Sequence, residues 1–208
     1  MCNSHEKVPM GFTREAFPAG THMCLIYNSE SERKKLIGKF LESGILSGEK
    51  VGYFADMMTP AEVRDWLIAM DIVLPKGGNS EQFAIRDAEN TYCPEGTFIP
   101  QRMLDNLKKY YKQALDEGYG GARVSGEMSW ALKDIPGSER LMEYEALVND
   151  VLKSHPVTAI CQYDANKFDG ATILDVLNVH PMMIVHGQIV QNPYYMKPQD
   201  FLNEYSGR

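Results

Sequence analysis

Short apolar runs that alternate with amphipathic stretches at helical spacing constrain this chain more than any other feature. Met23–Tyr27 (MCLIY), Val51–Ala55 (VGYFA), Ala122–Gly126 and Val157–Tyr163 (VTAICQY) read as strands, and Phe83–Ile85 as a further one. Strands this apolar belong to a sheet covered on both faces, the usual state of parallel α/β sheets. Helices fill the intervals. Ser29 and Glu32 match a capping box ahead of a stripe of Leu36, Ile37, Phe40 and Leu41, and that helix is expected to stop near Gly44. Thr59-Pro60-Ala61-Glu62 supplies a cap, a first-turn proline and a capping acid, with Trp66, Leu67 and Met70 as the buried face. Pro100 opens a longer helix with Met103, Leu104, Leu107, Tyr111 and Leu115 inward, ended by Gly118, Gly120 and Gly121. A helix from Pro136 to Lys153 carries Leu141, Tyr144, Leu147, Val148 and Val151, and a short one spans residues 171–177. Met182–Val185 and Gln188–Val190, turning about His186-Gly187, form a hairpin at the sheet edge.

This order predicts an α/β fold: a three-layer sandwich with a mostly parallel central sheet and an antiparallel C-terminal edge hairpin. Residues 1–20 contain Pro9, Gly11, Pro18 and Gly20 and are expected to be an irregular N-terminal arm, with residues 21–208 as one domain. A chain of 208 residues buries roughly 70% of its unfolded surface and needs no covalent staples. The net charge of −7 argues against direct nucleic-acid binding, which needs a basic face. No segment approaches the ~18 uninterrupted apolar residues of a membrane helix, and MCNSHEKVPM lacks the apolar core of a signal peptide. Cys2, Cys24, Cys93 and Cys161 are scattered without a CxxC, the pattern of reduced thiols in the cytoplasm.

The segment Gly121–Leu132, GARVSGEMSWAL, begins as a buried strand and turns polar and aromatic at its C-terminal end. Open α/β sheets bind ligands at the carboxyl ends of their strands. Tyr27, Asp56, Tyr92, Glu127, Trp130 and Tyr163 all fall at or just after strand ends, where an aromatic-lined small-molecule pocket is expected. Arg123 is a further candidate, pairing with Glu127 or Glu145. The alternative is that Trp130 and the tyrosines only close the core. A phosphate loop, GxxxxGK[ST], is missing: the first strand-to-helix turn is Tyr27-Asn28-Ser29-Glu30-Ser31-Glu32, and the lookalike GILSGEK lies between a helix and a strand. There is no GxSxG elbow for a serine nucleophile. His22, Cys24, Cys93, Cys161, His155, His180 and His186 show no compact metal-ligand spacing, so no metal and no cofactor are expected unless ligands converge in space. Alternation sends Cys161 and Tyr163 to one face of their strand, and Gln162 and Asp164 to the other.

GYGGARVSGEMSWAL, YEALVND, ICQYD and HPMMIVHGQIVQNPYY, together with GTHMCLIYNSESER and SGEKVGYFAD, resemble the MEDS family, the methanogen/methylotroph DcmR-type sensory domain, over about residues 18–202. The resemblance implies a RecA/KaiC-like fold without a working phosphate loop. It also implies a non-enzymatic sensory role toward an unknown small molecule, such as a one-carbon, methylated or halogenated compound. His22, Tyr144, Glu145, Cys161 and His180 match its motifs and stand as supporting residues. Neither end leaves room for an output module, so signalling would run through a partner such as a histidine kinase or transcription regulator, or through a homo-oligomer. Other readings remain open: a degenerate RecA-like nucleotide-binding regulator without hydrolysis, a redox or metal sensor using Cys161 and a histidine, and a scaffold without a ligand.

Overall fold

In the computed structural model, which describes residues 6–75 and 82–205, the chain folds as three layers about a seven-stranded sheet. The sheet strands are β3 (His22–Tyr27), β4 (Lys50–Ala55), β5 (Phe83–Asp87), β6 (Ala122–Glu127), β7 (Val157–Asp164), β8 (Met182–Val185) and β9 (Gln188–Gln191). Their order is β5-β4-β6-β7-β3-β8-β9, and every neighbouring pair is parallel except β8 with β9. The edge hairpin turns at His186 and Gly187, both with positive φ, as a tight hairpin requires. The three-layer α/β architecture read from the sequence is therefore present, edge hairpin included.

Helices α1 (Glu30–Leu46) and α2 (Pro60–Ala69) cover one face with a core of Leu36, Ile37, Phe40, Val63 and Leu67. The other face is covered by α3 (Ala88–Tyr92), α4 (Pro100–Asp116), α5 (Leu141–Leu152), α6 (Gly170–Val179) and α7 (Pro198–Tyr205). The Thr59–Glu62 capping box forms in full. At α1 only half forms: Ser29 accepts from the Glu32 amide.

Several boundaries differ from the sequence reading. The N-terminal arm is not irregular where it is described: β1 (Lys7–Pro9) and β2 (Ala16–Pro18) pair as an antiparallel hairpin. It is tied down because the Pro9 carbonyl accepts from Ser43 Oγ at 3.0 Å and Arg123 Nη2 at 3.1 Å, and Met10 is fully buried. Cys2 lies outside the described residues. The stretch from Pro136 makes a turn and a 3-10 segment, Ser138–Arg140, before α5 begins at Leu141. Gly137 has φ +89°, a backbone state that no right-handed helix contains. In α4, Leu115 faces solvent and Ala114 takes the inner position.

Helix α1 runs past Gly44, whose role is spatial. A Cβ there would lie 2.5 Å from Cδ and Nε of Arg123, which passes beneath the helix. The guanidinium is wholly buried, donates to the Phe40 carbonyl at 2.8 Å and pairs with Glu49. Overpacking at such a point costs roughly 1–3 kcal/mol. Gly44→Ala should lower the urea midpoint correspondingly, and an unchanged midpoint would contradict the close approach.

Candidate functional site

Strand β7 sits between β6 and β3 and serves both faces of the sheet. On the α1 face, Gln162 meets a buried acid–arginine network centred on Glu127. Arg33 Nη1 donates to Glu127 Oε1 at 2.8 Å, to Gln162 Oε1 at 2.9 Å and to the Tyr53 hydroxyl at 2.8 Å. Tyr53 also donates to Glu127 Oε1. The backbone amides of Asp56 and Met57, just past β4, each donate to Glu127 Oε2 at 2.7 Å. The ends of β4 and β6 meet here, and α1 fills the space between them with its own arginine. Glu127 is 1% exposed and has donors on both oxygens.

The other predicted strand-end residues separate. Tyr27 lies beside Arg33, whose guanidinium is 5.5 Å from the ring centroid. Asp56 pairs with Lys133 at 2.7 Å. Trp130 is fully buried, stacks on Tyr92 at 5.0 Å and touches Phe98 at 4.8 Å. Arg123 stands near the start of β6, away from Glu127 at its end, and its acid partner is Glu49, which corrects the expected pairing with Glu127 or Glu145.

The opposite face of β7 carries Cys161 and Tyr163, as alternation requires, and here side chains distant in sequence meet. His22 opens β3, Glu145 lies in α5, Cys161 lies in β7 and His180 caps the end of α6. Ligand atoms from these four lie within 4.8 Å of one another and all four side chains are buried. Glu145 Oε2 is 3.2 Å from His22 Nε2, 3.5 Å from His180 Nε2 and 3.4 Å from Cys161 Sγ. Cys161 Sγ is 3.5 Å from His22 Nε2. Tyr163 donates its hydroxyl to Glu145 Oε1 at 2.8 Å.

Both outer ring nitrogens have fixed roles. His180 Nδ1 faces the Val176 carbonyl at 2.8 Å, so it must donate. His22 Nδ1 faces Asn149 Oδ1 at 3.1 Å, and the Asn149 amide nitrogen donates to the Val179 and Ala146 carbonyls, which fixes the oxygen as the acceptor. In neutral rings each Nε2 then presents a lone pair to Glu145. His180 Nε2 has no hydrogen-bond partner. Burial pushes His22 below the usual histidine range, and His180 beside it adds to this. Burial pushes the Cys161 thiol up, reinforced by Glu145. Burial opposes ionisation of Glu145, but its contacts with His180 and His22 hold its carboxyl below the usual carboxylate range. His22, Glu145, Cys161 and His180 are close enough together that they could hold a metal ion.

This cluster adjoins a cavity of about 720 Å³ on the same face. His22 and Cys161 lie at its sheet side beside Val124 and Gly126, with Val148, Tyr92 and Tyr144 contributed by the covering helices. The mouth is ringed by exposed Arg86, Asn90, Asn106, Lys109 and Gln113. The cavity thus lies over the sheet face, beneath α3, α4 and α5, and not in the crevice at the strand ends. Of the residues singled out from the sequence, Tyr92, Tyr144, His22 and Cys161 line it; Glu127, Trp130, Tyr27, Asp56, Arg123 and Tyr163 do not.

Arg33, Tyr53, Glu49 and Asn149 are buried polar partners that no sequence motif singles out. Two of them left a signal: Arg33 falls on the stripe of Leu36, Ile37 and Phe40, and Asn149 on that of Leu141, Glu145 and Val148. A polar group on a buried helical stripe needs a partner. Removing one partner of a buried charge pair costs about 3–5 kcal/mol. Glu127→Ala should therefore destabilise the fold by up to that order in chemical denaturation: Arg33 keeps its ion pair with Glu30, but the Asp56 and Met57 amides and the Tyr53 hydroxyl lose their buried acceptor. A near-neutral result would return Glu127 to the role of a ligand-binding acid.

Comparison with known proteins agrees with the fold and motifs. Residues 21–181 match MEDS, the MEthanogen/methylotroph, DcmR Sensory domain. The transcriptional repressor DcmR of Methylorubrum extorquens (strain DSM 6343 / CIP 106787 / DM4) is 28% identical over 160 residues, covering 76% of this chain; the chain spans 57% of the length of that repressor. Among solved structures, a KaiC-like protein from Pyrococcus horikoshii OT3 superposes with a TM-score of 0.63 at 16% identity, over 87% of this chain and 80% of that one. The flagellar accessory protein FlaH from Methanocaldococcus jannaschii gives 0.63 at 11% identity, over 88% and 83%. At such identities these two establish the RecA/KaiC-like fold alone. With the family match spanning most of its length, this chain belongs to the MEDS sensory-domain family.

Proposed function

We propose that this chain is a non-enzymatic, cytoplasmic sensory domain that binds a small, largely apolar molecule in the cavity over the β6–β7 face and passes its occupancy to a partner protein, a transcription regulator or histidine kinase. The observation that carries this reading is the cavity itself: a buried apolar and aromatic interior, a polar mouth and a few convergent polar groups at the floor. That is the usual form of a small-molecule site. Membership of a sensory family supports it. The absence of an enzymatic role is supported by the chemistry of the candidate residues. Glu127 is saturated by protein donors, and Cys161 is held as a thiol by burial, whereas nucleophilic attack requires a thiolate.

A volume of 720 Å³ far exceeds what one methanol or halomethane molecule fills. It favours a methylated or halogenated group carried on a larger apolar body. Phe54, Tyr92, Tyr110 and Tyr144 offer ring faces to such a group. The ligand signals only through a difference in affinity between two states of the domain, and α3, α4 and α5, which roof the cavity, are the elements its occupancy would bias.

Thermal shift against methylamines, methanol, methylated thiols, halomethanes and larger methylated amines and thioethers tests this. A true ligand at 100 times its Kd stabilises the fold by about 2.7 kcal/mol. Trp130 emission should change in parallel, because its ring stacks on the cavity wall Tyr92. Ala84→Phe, placed in the lining, should abolish both responses without lowering the melting temperature of the free protein. A panel without effect, or a response that survives Ala84→Phe, would overturn the cavity as the sensing site.

A further inference from the structure

We propose that His22, Glu145, Cys161 and His180 form a closed four-ligand site for a divalent transition-metal ion of borderline character, of which Zn²⁺ is the type. The first ground is distance. Zinc bonds of about 2.0–2.3 Å to N, O and S in a tetrahedron place the ligand atoms roughly 3.2–3.7 Å apart. Four of the six separations are 3.2, 3.4, 3.5 and 3.5 Å, and the other two, from His180 to His22 and to Cys161, lie within 4.8 Å.

The second ground is the balance of donors and acceptors. With both rings neutral, Glu145 Oε2, His22 Nε2 and His180 Nε2 are three acceptors within 4.8 Å of one another, and Cys161 brings the single proton. His180 Nε2 is buried with no hydrogen-bond partner, 3.5 Å from Glu145 Oε2. Native interiors leave few polar atoms in that state, and a site for an ion is among the ordinary reasons for one. A cation at the centre satisfies all four groups. On binding, the thiol proton leaves to solvent and the sulfur ligates as thiolate.

The third ground is the outer shell. Metal-bound histidines give their other N–H to a carbonyl or carboxylate, which fixes the ring so that its free nitrogen faces the ion. His180 does this with the Val176 carbonyl and His22 with Asn149 Oδ1. Asn149 lies one turn beyond Glu145 in α5, so one helix supplies both a ligand and the group that orients another. An entry path is present, because His22 and Cys161 border the cavity. With four protein ligands the site is closed, which suits a structural or sensory ion and not a catalytic one. It would pin β3, β7, α5 and α6 together at the cavity floor. The site stands on its own geometry and does not require the ligand reading given for the cavity.

The test uses the full chain, stripped with chelator and reloaded with Co²⁺. Expected are one equivalent bound, a thiolate-to-cobalt charge-transfer band in the near ultraviolet, and the strong visible bands of tetrahedral cobalt. Cys161→Ser, close in size to the wild-type residue, should keep the circular dichroism of the fold and lose the charge-transfer band. Asn149→Ala should weaken metal affinity by about 10–100-fold, the effect of losing an outer-shell partner. Zn²⁺ should displace Co²⁺ and raise the melting temperature of the wild-type protein. No cobalt spectrum in a folded wild-type chain, or a charge-transfer band that survives Cys161→Ser, would overturn the site; the first result would mean that a proton on the histidines balances Glu145 instead. Either result leaves the small-molecule response of the cavity to be measured separately, so the two readings fail independently.

Discussion

The pairing of β7 between β6 and β3 is the constraint on which the rest depends. Successive side chains of a strand point to opposite faces, so one central strand equips both sides of the sheet. Gln162 joins the Arg33–Glu127 network under α1, while Cys161 and Tyr163 join the histidine cluster under α5. A slip of one residue would exchange these sets and strand charges on both faces. The parallel register, with Glu127 beside Gln162 and Cys24 beside Cys161, prevents it.

The two faces treat a buried carboxylate in opposite ways. Glu127 has a guanidinium, a phenol and two backbone amides directed at it, so its charge is met by the protein. Glu145 has a phenol and a thiol, and on its remaining sides two histidines whose outer nitrogens already donate elsewhere. A fully buried carboxylate is costly unless its charge is met. That difference separates an acid whose charge the protein meets with fixed donors from one that faces two histidine nitrogens. It explains why Glu127, conspicuous in GARVSGEMSWAL, closes the strand ends, while Glu145, inconspicuous within a helix, sits where chemistry is unfinished.

Most of the fold was legible because it follows from local patterns. Apolar runs gave the strands, Thr59-Pro60-Ala61-Glu62 gave the start of α2, and His186-Gly187 gave the edge turn. The misses came from tertiary contacts. The arm pairs as a hairpin because Ser43 and Arg123 hold the Pro9 carbonyl, and Gly44 sits inside α1 to make room for Arg123. The site was legible only in its parts. His22, Tyr144, Glu145, Cys161 and His180 entered through family motifs, but residues 22 and 180 are brought together by a strand order that places β3 between β7 and β8. Spacing along the chain carries no trace of that. The strand-end rule pointed to Glu127 and Trp130 because it describes open crevices, and here Arg33 and the Tyr92–Trp130 stack occupy the space.

The proposed cation centre joins β3, β7, α5 and α6 at the side of the cavity that His22 and Cys161 line. The most direct measurement is an X-ray absorption spectrum of the zinc-loaded protein at the metal edge. A zinc ion held by His22, Glu145, Cys161 and His180 gives a four-coordinate first shell with one sulfur at about 2.3 Å and light-atom neighbours at about 2.0–2.1 Å, with the outer-shell scattering of two imidazoles. A shell of oxygen and nitrogen alone, without sulfur and without imidazole scattering, would contradict it.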